Sequence, residues 1–335
     1  MDFQSIYGHE HIIEYLKIAQ EENKVSHAYI FHGEPESGKM MLAKAFAKSM
    51  LCENTNAIAS KAGSCGQCKS CLQAESDNHP DIIYVTHEKT SIGVNDIRVQ
   101  VNQDIMIKPY SSKRKIYIID DAEKMTQEAQ NALLKTVEEP PSYALILLLA
   151  SNISSLLPTI LSRCVQLKLR PVAKETIKSL LMEKYQIPDY LAQISATFSG
   201  GNVGKAILFA TSEEFATMKT KVVFLVSKIF ELHVYEIMEK IKEMSEDKKR
   251  IEDYLDLCIL WYRDVLLYKA TNDEKSLLFG DELRVLRQQA QLLSYEKIEV
   301  IMKAIDKAKV RLRANVNFDV VMEMMLLTIK ENEDG

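Results

Sequence analysis

The stretch Gly33-Glu-Pro-Glu-Ser37-Gly38-Lys39-Met40 decides the fold of this 335-residue chain. It matches seven of the eight positions of the phosphate-binding pattern G-x-x-x-x-G-K-[ST]. An apolar, strand-like run precedes it at residues 29–31, and a helical pattern follows over residues 39–51. Backbone N–H groups of such a loop form an anion site, with the lysine near the β- and γ-phosphates. A glycine-rich turn with a chance lysine is the alternative, and the strand–loop–helix context disfavours it.

Around this loop, apolar strand patterns alternate with helical patterns up to about residue 165. The further strand-like runs cover residues 81–85, 115–119 and 145–150, and the helical patterns cover 94–101, 127–138 and a short turn near 156–162. Strands that alternate with helices predict a largely parallel sheet with helices on both faces. We therefore expect an α/β domain over residues 1–165.

Beyond residue 171 the strand patterns stop and only helical patterns remain. The helical patterns cover residues 175–185, 188–197, 203–211, 251–268, 282–293 and 295–308. No proline follows Pro188, and the later patterns carry apolar residues at spacings of three and four. We expect a small helical domain over residues 166–211 and an all-α domain over residues 212–335.

The composition is that of an ordinary globular protein, with 47% hydrophobic and 27% charged residues. The longest apolar run, residues 144–150, is too short to span a bilayer, and the first residues lack a signal-peptide pattern. A cytoplasmic location is therefore expected. The net charge of −5 is unlike that of a protein that binds DNA by itself. Any DNA contact is expected to be local or shared with partner subunits.

The eighth position of the phosphate-binding stretch departs from the pattern. Serine or threonine there would bind Mg²⁺ through its hydroxyl, whereas the thioether of Met40 is a poor ligand for a hard cation. The apolar run 116–119 ends in Asp120 and Asp121, which has the form of a Walker B strand. Asp120 is expected near the metal position. Asp121 stands where a water-activating glutamate is usual, and its side chain is one methylene shorter.

Four of the six cysteines lie close together in sequence, at Cys52, Cys65, Cys68 and Cys71. Such clustering in a reducing compartment favours a metal over disulfides. Four thiolates with C-x-x-C spacing suit tetrahedral Zn²⁺, and no open ligand position or nearby catalytic acid is evident. We predict a structural zinc module over residues 52–71. An iron–sulfur cluster and free thiols are the alternatives.

Several stretches together resemble the AAA+ clamp-loader family, which includes the bacterial gamma/tau and delta-prime subunits and replication factor C. The stretches that carry the resemblance are Tyr7-Gly-His-Glu10, His27-Ala-Tyr-Ile-Phe-His-Gly33, the four cysteines, Ala129-Gln-Asn-Ala-Leu-Leu-Lys-Thr-Val-Glu-Glu-Pro140 and Ser162-Arg163-Cys164. The resemblance covers about residues 5–210. It implies an AAA+ P-loop domain with a zinc module, a small helical lid domain and an all-α collar domain.

The resemblance also implies roles for individual residues. Asn152 falls at the sensor-1 position, and Arg163 falls at the arginine finger, which in this family reaches the ATP of a neighbouring subunit. Gly204 stands where the family has its sensor-2 arginine. Met40, Asp121 and Gly204 thus alter the chain's own nucleotide site, whereas its outgoing finger is retained. This asymmetry resembles the delta-prime branch and not the ATP-hydrolysing gamma/tau branch.

Two functions follow as hypotheses. The first is a delta-prime-like structural stator without intrinsic ATPase activity, in which the degenerate site of Gly33, Ser37, Gly38, Lys39, Met40, Asp120, Asp121 and Asn152 binds ATP or ADP weakly or not at all. Its expected partners are gamma/tau and delta subunits, with the sliding clamp and primed DNA reached through the complex. The second is an active gamma/tau-like motor or a helicase loader, which requires the hydroxyl that position 40 lacks.

Overall fold

The computed structural model describes residues 2–57, 62–88, 90–246, 248–274, 276–314 and 316–332. The chain divides into two compact units. Unit 1 comprises Met1–Ile177 and Gly201–Lys205, and unit 2 comprises Lys178–Gly200 and Ala206–Gly335. The division into an AAA+ domain, a lid and a collar stays a prediction.

Unit 1 contains a five-stranded parallel sheet with the strand order β2-β3-β4-β1-β5. The strands are β1 (Ala28–His32), β2 (Ile82–Tyr84), β3 (Lys115–Ile119), β4 (Ala144–Ala150) and β5 (Val165–Lys168). The helices before β5 are α1 (Glu10–Glu21), α2 (Lys39–Leu51), α3 (Lys69–Glu75), α4 (Val94–Ile97), α5 (Gln127–Glu138) and α6 (Pro158–Leu161). The predicted α/β fold is confirmed, and β5 adds a strand at the edge of the sheet.

The two faces of the sheet each carry an apolar core. Successive side chains of a strand point to opposite faces, so Ala28 and Ile30 enter one cluster and Tyr29 and Phe31 enter the other. Helix α5 covers the first face, and helices α1 and α2 cover the second. All seven residues of β4 are buried, as expected for a central parallel strand covered on both sides.

Among the described residues after β5, the regular elements are all helices. They are α7 (Lys174–Tyr185), α8 (Asp189–Phe198), α9 (Val203–Thr211), α10 (Glu213–Lys228), α11 (Val234–Ser245), α12 (Ile251–Thr271), α13 (Leu283–Leu292), α14 (Tyr295–Arg313) and α15 (Phe318–Glu331). Unit 2 has its own core, in which the side chains of Trp261, Tyr262 and Phe279 are fully buried. The Trp261 indole donates to Gln289 Oε1 at 2.8 Å.

In the part of the chain that the structure describes, no helix is both long enough and apolar enough to cross a membrane.

Candidate functional site

The phosphate-binding loop, residues 33–38, connects the carboxyl end of β1 to the first residue of α2. Gly33 N donates to Ala150 O at 3.2 Å, which keeps the loop beside β4. Gly38 has φ +94°, a conformation that side chains rarely adopt, and the helix begins at the next residue. The carbonyl of Ser37 lies 3.3 Å from Nε2 of His9. The sequence motif therefore folds into the predicted strand–loop–helix unit.

The ammonium group of Lys39 is buried inside this loop. Its Nζ donates to Gly33 O and Glu34 O, both at 2.8 Å, and to Ser151 Oγ at 3.1 Å. Burial lowers the pKa of Lys39, although the charges of Glu123 and Asp120 raise it in part. An ammonium group has three N–H donors, so protein oxygens already engage all three. A bound phosphate would have to replace at least one of them.

Met40 follows Lys39 in α2, and its side chain is partly buried against the apolar cluster that α1 and α2 form on the sheet. The residue therefore contributes to packing and presents no oxygen to a metal. This geometry agrees with the chemical argument that position 40 is unsuited to Mg²⁺.

The two aspartates after β3 differ in their surroundings. Burial raises the pKa of Asp120, which accepts the N–H of Asp121 through its own carboxylate at 3.0 Å. Asp121 has φ +47°, and its Oδ2 pairs with Lys124 Nζ at 2.6 Å. In this structure Lys124 is thus the partner of the carboxylate at the water-activating position.

Glu123 is a site residue that the sequence reasoning missed. Its Oε1 accepts the N–H of Ser151 at 3.0 Å, and its charge is the largest of those that raise the pKa of Lys39. The available signal was its spacing, three residues after Asp120 in the turn that leaves β3. Ser151 was missed as well, because the sequence reasoning selected the adjacent Asn152. The exposed side chain of Asn152 accepts the N–H of Ser154 at 3.0 Å and caps a turn.

The segment Gly201–Lys205 contacts the phosphate-binding loop within unit 1. Asn202 Nδ2 donates to Pro35 O at 2.8 Å, and Lys205 Nζ lies 3.3 Å from Glu34 Oε2. A Cβ atom on Gly204 would lie 2.3 Å from Glu36 O. A side chain therefore fits at the sensor-2 position only if the loop moves.

Arg163 lies far from this loop, at the other end of the sheet. Arg163 lies two residues before β5, and the first residue of β5, Val165, pairs with Tyr29 near the start of β1. Tyr29 and Gly33 are four residues apart, which corresponds to about 13 Å along the strand at ~3.3 Å per residue. Arg163 Nη2 pairs with Glu138 Oε1 at 2.8 Å, and Nη1 donates to Thr159 O at 3.0 Å.

The four clustered cysteines converge on one point. Their sulfur atoms all lie within 4.8 Å of one another, and Cys65 Sγ lies 3.9 Å from Cys71 Sγ. A tetrahedral zinc with Zn–S bonds of about 2.3 Å requires sulfur atoms about 3.8 Å apart. The N–H groups of Gln67 and Cys68 lower the pKa of Cys65 to about 6, whereas burial raises the pKa of Cys52 and that of Cys71. The donor set therefore fits a metal ion.

Comparisons with known proteins identify the family. A family model described as DNA polymerase III, delta subunit, matches residues 8–173. The DNA polymerase III subunit delta' of Bacillus subtilis (strain 168) is 30% identical over 324 residues, 96% of this chain and 95% of that protein. The chain belongs to the delta-prime family of DNA polymerase III clamp-loader subunits.

Two further relatives match this delta-prime family member over most of its length. The delta' subunit of Pseudomonas aeruginosa is 28% identical over 311 residues, 90% of this chain and 91% of that protein. The tau subunit of Bacillus subtilis is 27% identical and covers 96% of this chain, which in turn covers 60% of the tau subunit. The resemblance to the clamp-loader family is therefore confirmed.

Within this delta-prime family member, the sequence-predicted residues form three separate groups. Gly33, Ser37, Gly38, Lys39 and Asp120 meet at the carboxyl end of the sheet. The four cysteines form the second group, and Arg163 stands alone at the amino end. Asp121 and Asn152 lie beside the first group, with their side chains bonded to Lys124 and to the backbone of Ser154.

Proposed function

We propose that this clamp-loader subunit is a stator, a subunit that holds its place in the complex without hydrolysing ATP. It helps load the sliding clamp onto primed DNA, and it donates Arg163 to the ATP bound by a neighbouring gamma/tau-type subunit. Membership in the delta-prime family supports a place in the clamp-loader complex. The geometry of the side chains supports the stator and arginine-finger roles proposed within that complex.

The observation that carries the proposal is the position of Arg163. This guanidinium belongs to a residue just before the amino end of β5, whereas the phosphate-binding loop follows the carboxyl end of β1, the parallel neighbour of β5. It therefore serves a nucleotide that another subunit holds. An arginine finger stabilises the charge of the phosphoryl-transfer transition state and contributes a factor of about 10³–10⁵ in rate.

The chain's own site supports weak or absent binding of ATP and ADP. Met40 offers no metal-ligating oxygen, Asp121 pairs with Lys124, and Gly204 leaves no room for a sensor-2 side chain. A gamma/tau-like motor or a helicase loader would need the missing hydroxyl. In this proposal residues 212–335 supply the collar that joins subunits, and residues 166–211 supply the lid.

We also propose that the four cysteines hold one structural zinc ion. We expect metal analysis of the purified chain to find about one zinc per chain, because the donor set is complete without an outside ligand. A Cys68→Ser variant should lose the zinc, and a Cys164→Ser variant, altered outside the cluster, should keep it. Iron in place of zinc would favour an iron–sulfur cluster, and absence of any metal would favour free thiols.

An Arg163→Ala substitution tests the arginine finger. In a loader reconstituted with gamma/tau-type and delta-type subunits, the ATP site that receives Arg163 should lose at least about 10³-fold in rate. Steady-state ATPase measurement would then show the total rate fall by that site's share. The isolated chain should show negligible ATPase activity with and without the substitution.

A suitable control is Arg170→Ala, which removes an exposed arginine beyond the other end of β5. Its loader should hydrolyse ATP at the wild-type rate. An Arg163→Ala loader with undiminished ATPase would overturn the finger assignment. ATP turnover by the isolated wild-type chain at a rate comparable to that of gamma/tau would overturn the stator assignment.

A further inference from the structure

The guanidinium of Arg163 is held by three groups of its own chain. Nη2 pairs with Glu138 Oε1 at 2.8 Å, and Nη1 donates to Thr159 O at 3.0 Å and to Ser162 Oγ at 3.4 Å. Both partners of the ion pair are partly exposed, with 38% of the Arg163 side chain and 45% of the Glu138 side chain accessible. The guanidinium of Arg163 is therefore held in one orientation while it stays accessible to solvent.

The elements that carry this pair are firmly placed. Glu138 is the last residue of α5, a helix anchored in the core by Ala129, Leu133 and Val137. Arg163 N donates to Ile160 O at 3.1 Å, and the next residue in the chain, Cys164, is buried. Prolines 140 and 141 follow the end of α5 and prevent the helix from continuing. The carboxylate thus reaches Arg163 from a rigid helix end.

The contacts of Arg163 leave room for a phosphate. A guanidinium has five N–H donors, and the two hydrogen bonds of Nη1 and the ion pair of Nη2 engage at most three of them. Within the described ranges, the Nε–H and the second hydrogen of Nη2 have no partner. A phosphate can bind these two donors in the bidentate manner that guanidinium groups favour, without displacing Glu138.

We propose that Glu138 is a positioning residue for the arginine finger. It restricts the rotamers of Arg163 before the neighbouring nucleotide arrives, so that less side-chain freedom is lost in the transition state. The carboxylate does not touch the nucleotide and acts only through Arg163. This inference rests on the proposed in-trans role of Arg163.

Glu138→Gln keeps the shape of the side chain and removes its charge. In the reconstituted loader we expect the ATPase kcat to fall about two- to five-fold at the site that receives Arg163, the range expected for an exposed ion pair. The KM for ATP should change little, because the interaction acts after the nucleotide is bound. In an Arg163→Ala background the same substitution should have no further effect, since its target is gone.

The adjacent Glu139 provides a matched control. It is exposed, it closes α5 through its backbone N–H to Lys135 O, and none of the described residues forms an ion pair with it. Glu139→Gln should leave kcat unchanged while making the same change in net charge. Loss of ATPase with Arg163→Ala but not with Glu138→Gln would overturn the positioning role alone. An equal loss with Glu138→Gln in both backgrounds would also overturn it, because the effect would not pass through Arg163.

Discussion

Three residues that depart from an active P-loop site each have another task in this chain. Met40 packs against the core of the sheet, Asp121 pairs with Lys124, and Gly204 gives the carbonyl of Glu36 its space. At the residue scale, each of the three residues therefore fits the packing or the contacts around it. We therefore expect that reversal of one of them alone does not restore ATP hydrolysis.

A Met40→Thr substitution makes this argument testable. It restores a hard oxygen ligand, so we expect ATP affinity to become dependent on Mg²⁺. Hydrolysis should stay absent, because Lys124 still engages Asp121 and position 204 still lacks an arginine. Loss of the partly buried thioether should cost about 1 kcal/mol of unfolding free energy. Titration with a fluorescent ATP analogue with and without Mg²⁺, steady-state ATPase and urea unfolding measure the three effects.

Met41→Thr is the matched control for this substitution, since it makes the same chemical change one residue further along α2. It should not confer Mg²⁺-dependent nucleotide binding. If Met40→Thr alone produced rapid turnover, the roles assigned to Lys124 and Gly204 would be wrong, and position 40 would be the single barrier to hydrolysis.

At the scale of elements, the sequence predicted what local periodicity determines. The helices 39–51, 127–138 and 203–211 begin and end at the predicted residues, and four strands of the sheet lie where apolar runs indicated them. The predicted helix 94–101 is instead a short α-helix followed by a π-helical segment from Arg98 to Gln103. The edge strand β5 was not predicted as a strand, because its four residues alternate between half-buried and exposed and lack a continuous apolar run.

The candidate site divides in the same way. The phosphate-binding loop, the Walker B strand and the cysteine spacing are local patterns, which can be read from the sequence directly. Glu123 and Asn202 contact the site through tertiary packing, across 28 residues to Ser151 and 167 residues to Pro35. No local pattern encodes such contacts. The pairing of Arg163 with Glu138, at the end of α5, likewise depends on tertiary packing and has no local sequence pattern.

The whole molecule offers separate probes for its two units. The cysteine cluster lies in unit 1, whereas the single tryptophan of the chain, Trp261, lies in the core of unit 2. Trp261 fluorescence therefore reports on unit 2, and amide hydrogen exchange in β1 and β4 reports on unit 1. The effect of a change at the cysteine cluster can thus be followed in each unit independently.

Removal of the metal by a chelator is the corresponding prediction. A bound metal stabilises the folded state by linkage, about 3–4 kcal/mol when the free ion exceeds its Kd by a few hundred- to thousandfold. Chelation should therefore accelerate hydrogen exchange in the strands of unit 1. We expect the urea midpoint followed by Trp261 to stay unchanged, because the buried contacts of that indole, Gln289 and Phe279, belong to unit 2. A Cys68→Ser variant, already without the metal, should not respond to the chelator. An equal shift of both probes would mean that the two units unfold as one, and that the zinc module stabilises the helical unit as well as the sheet.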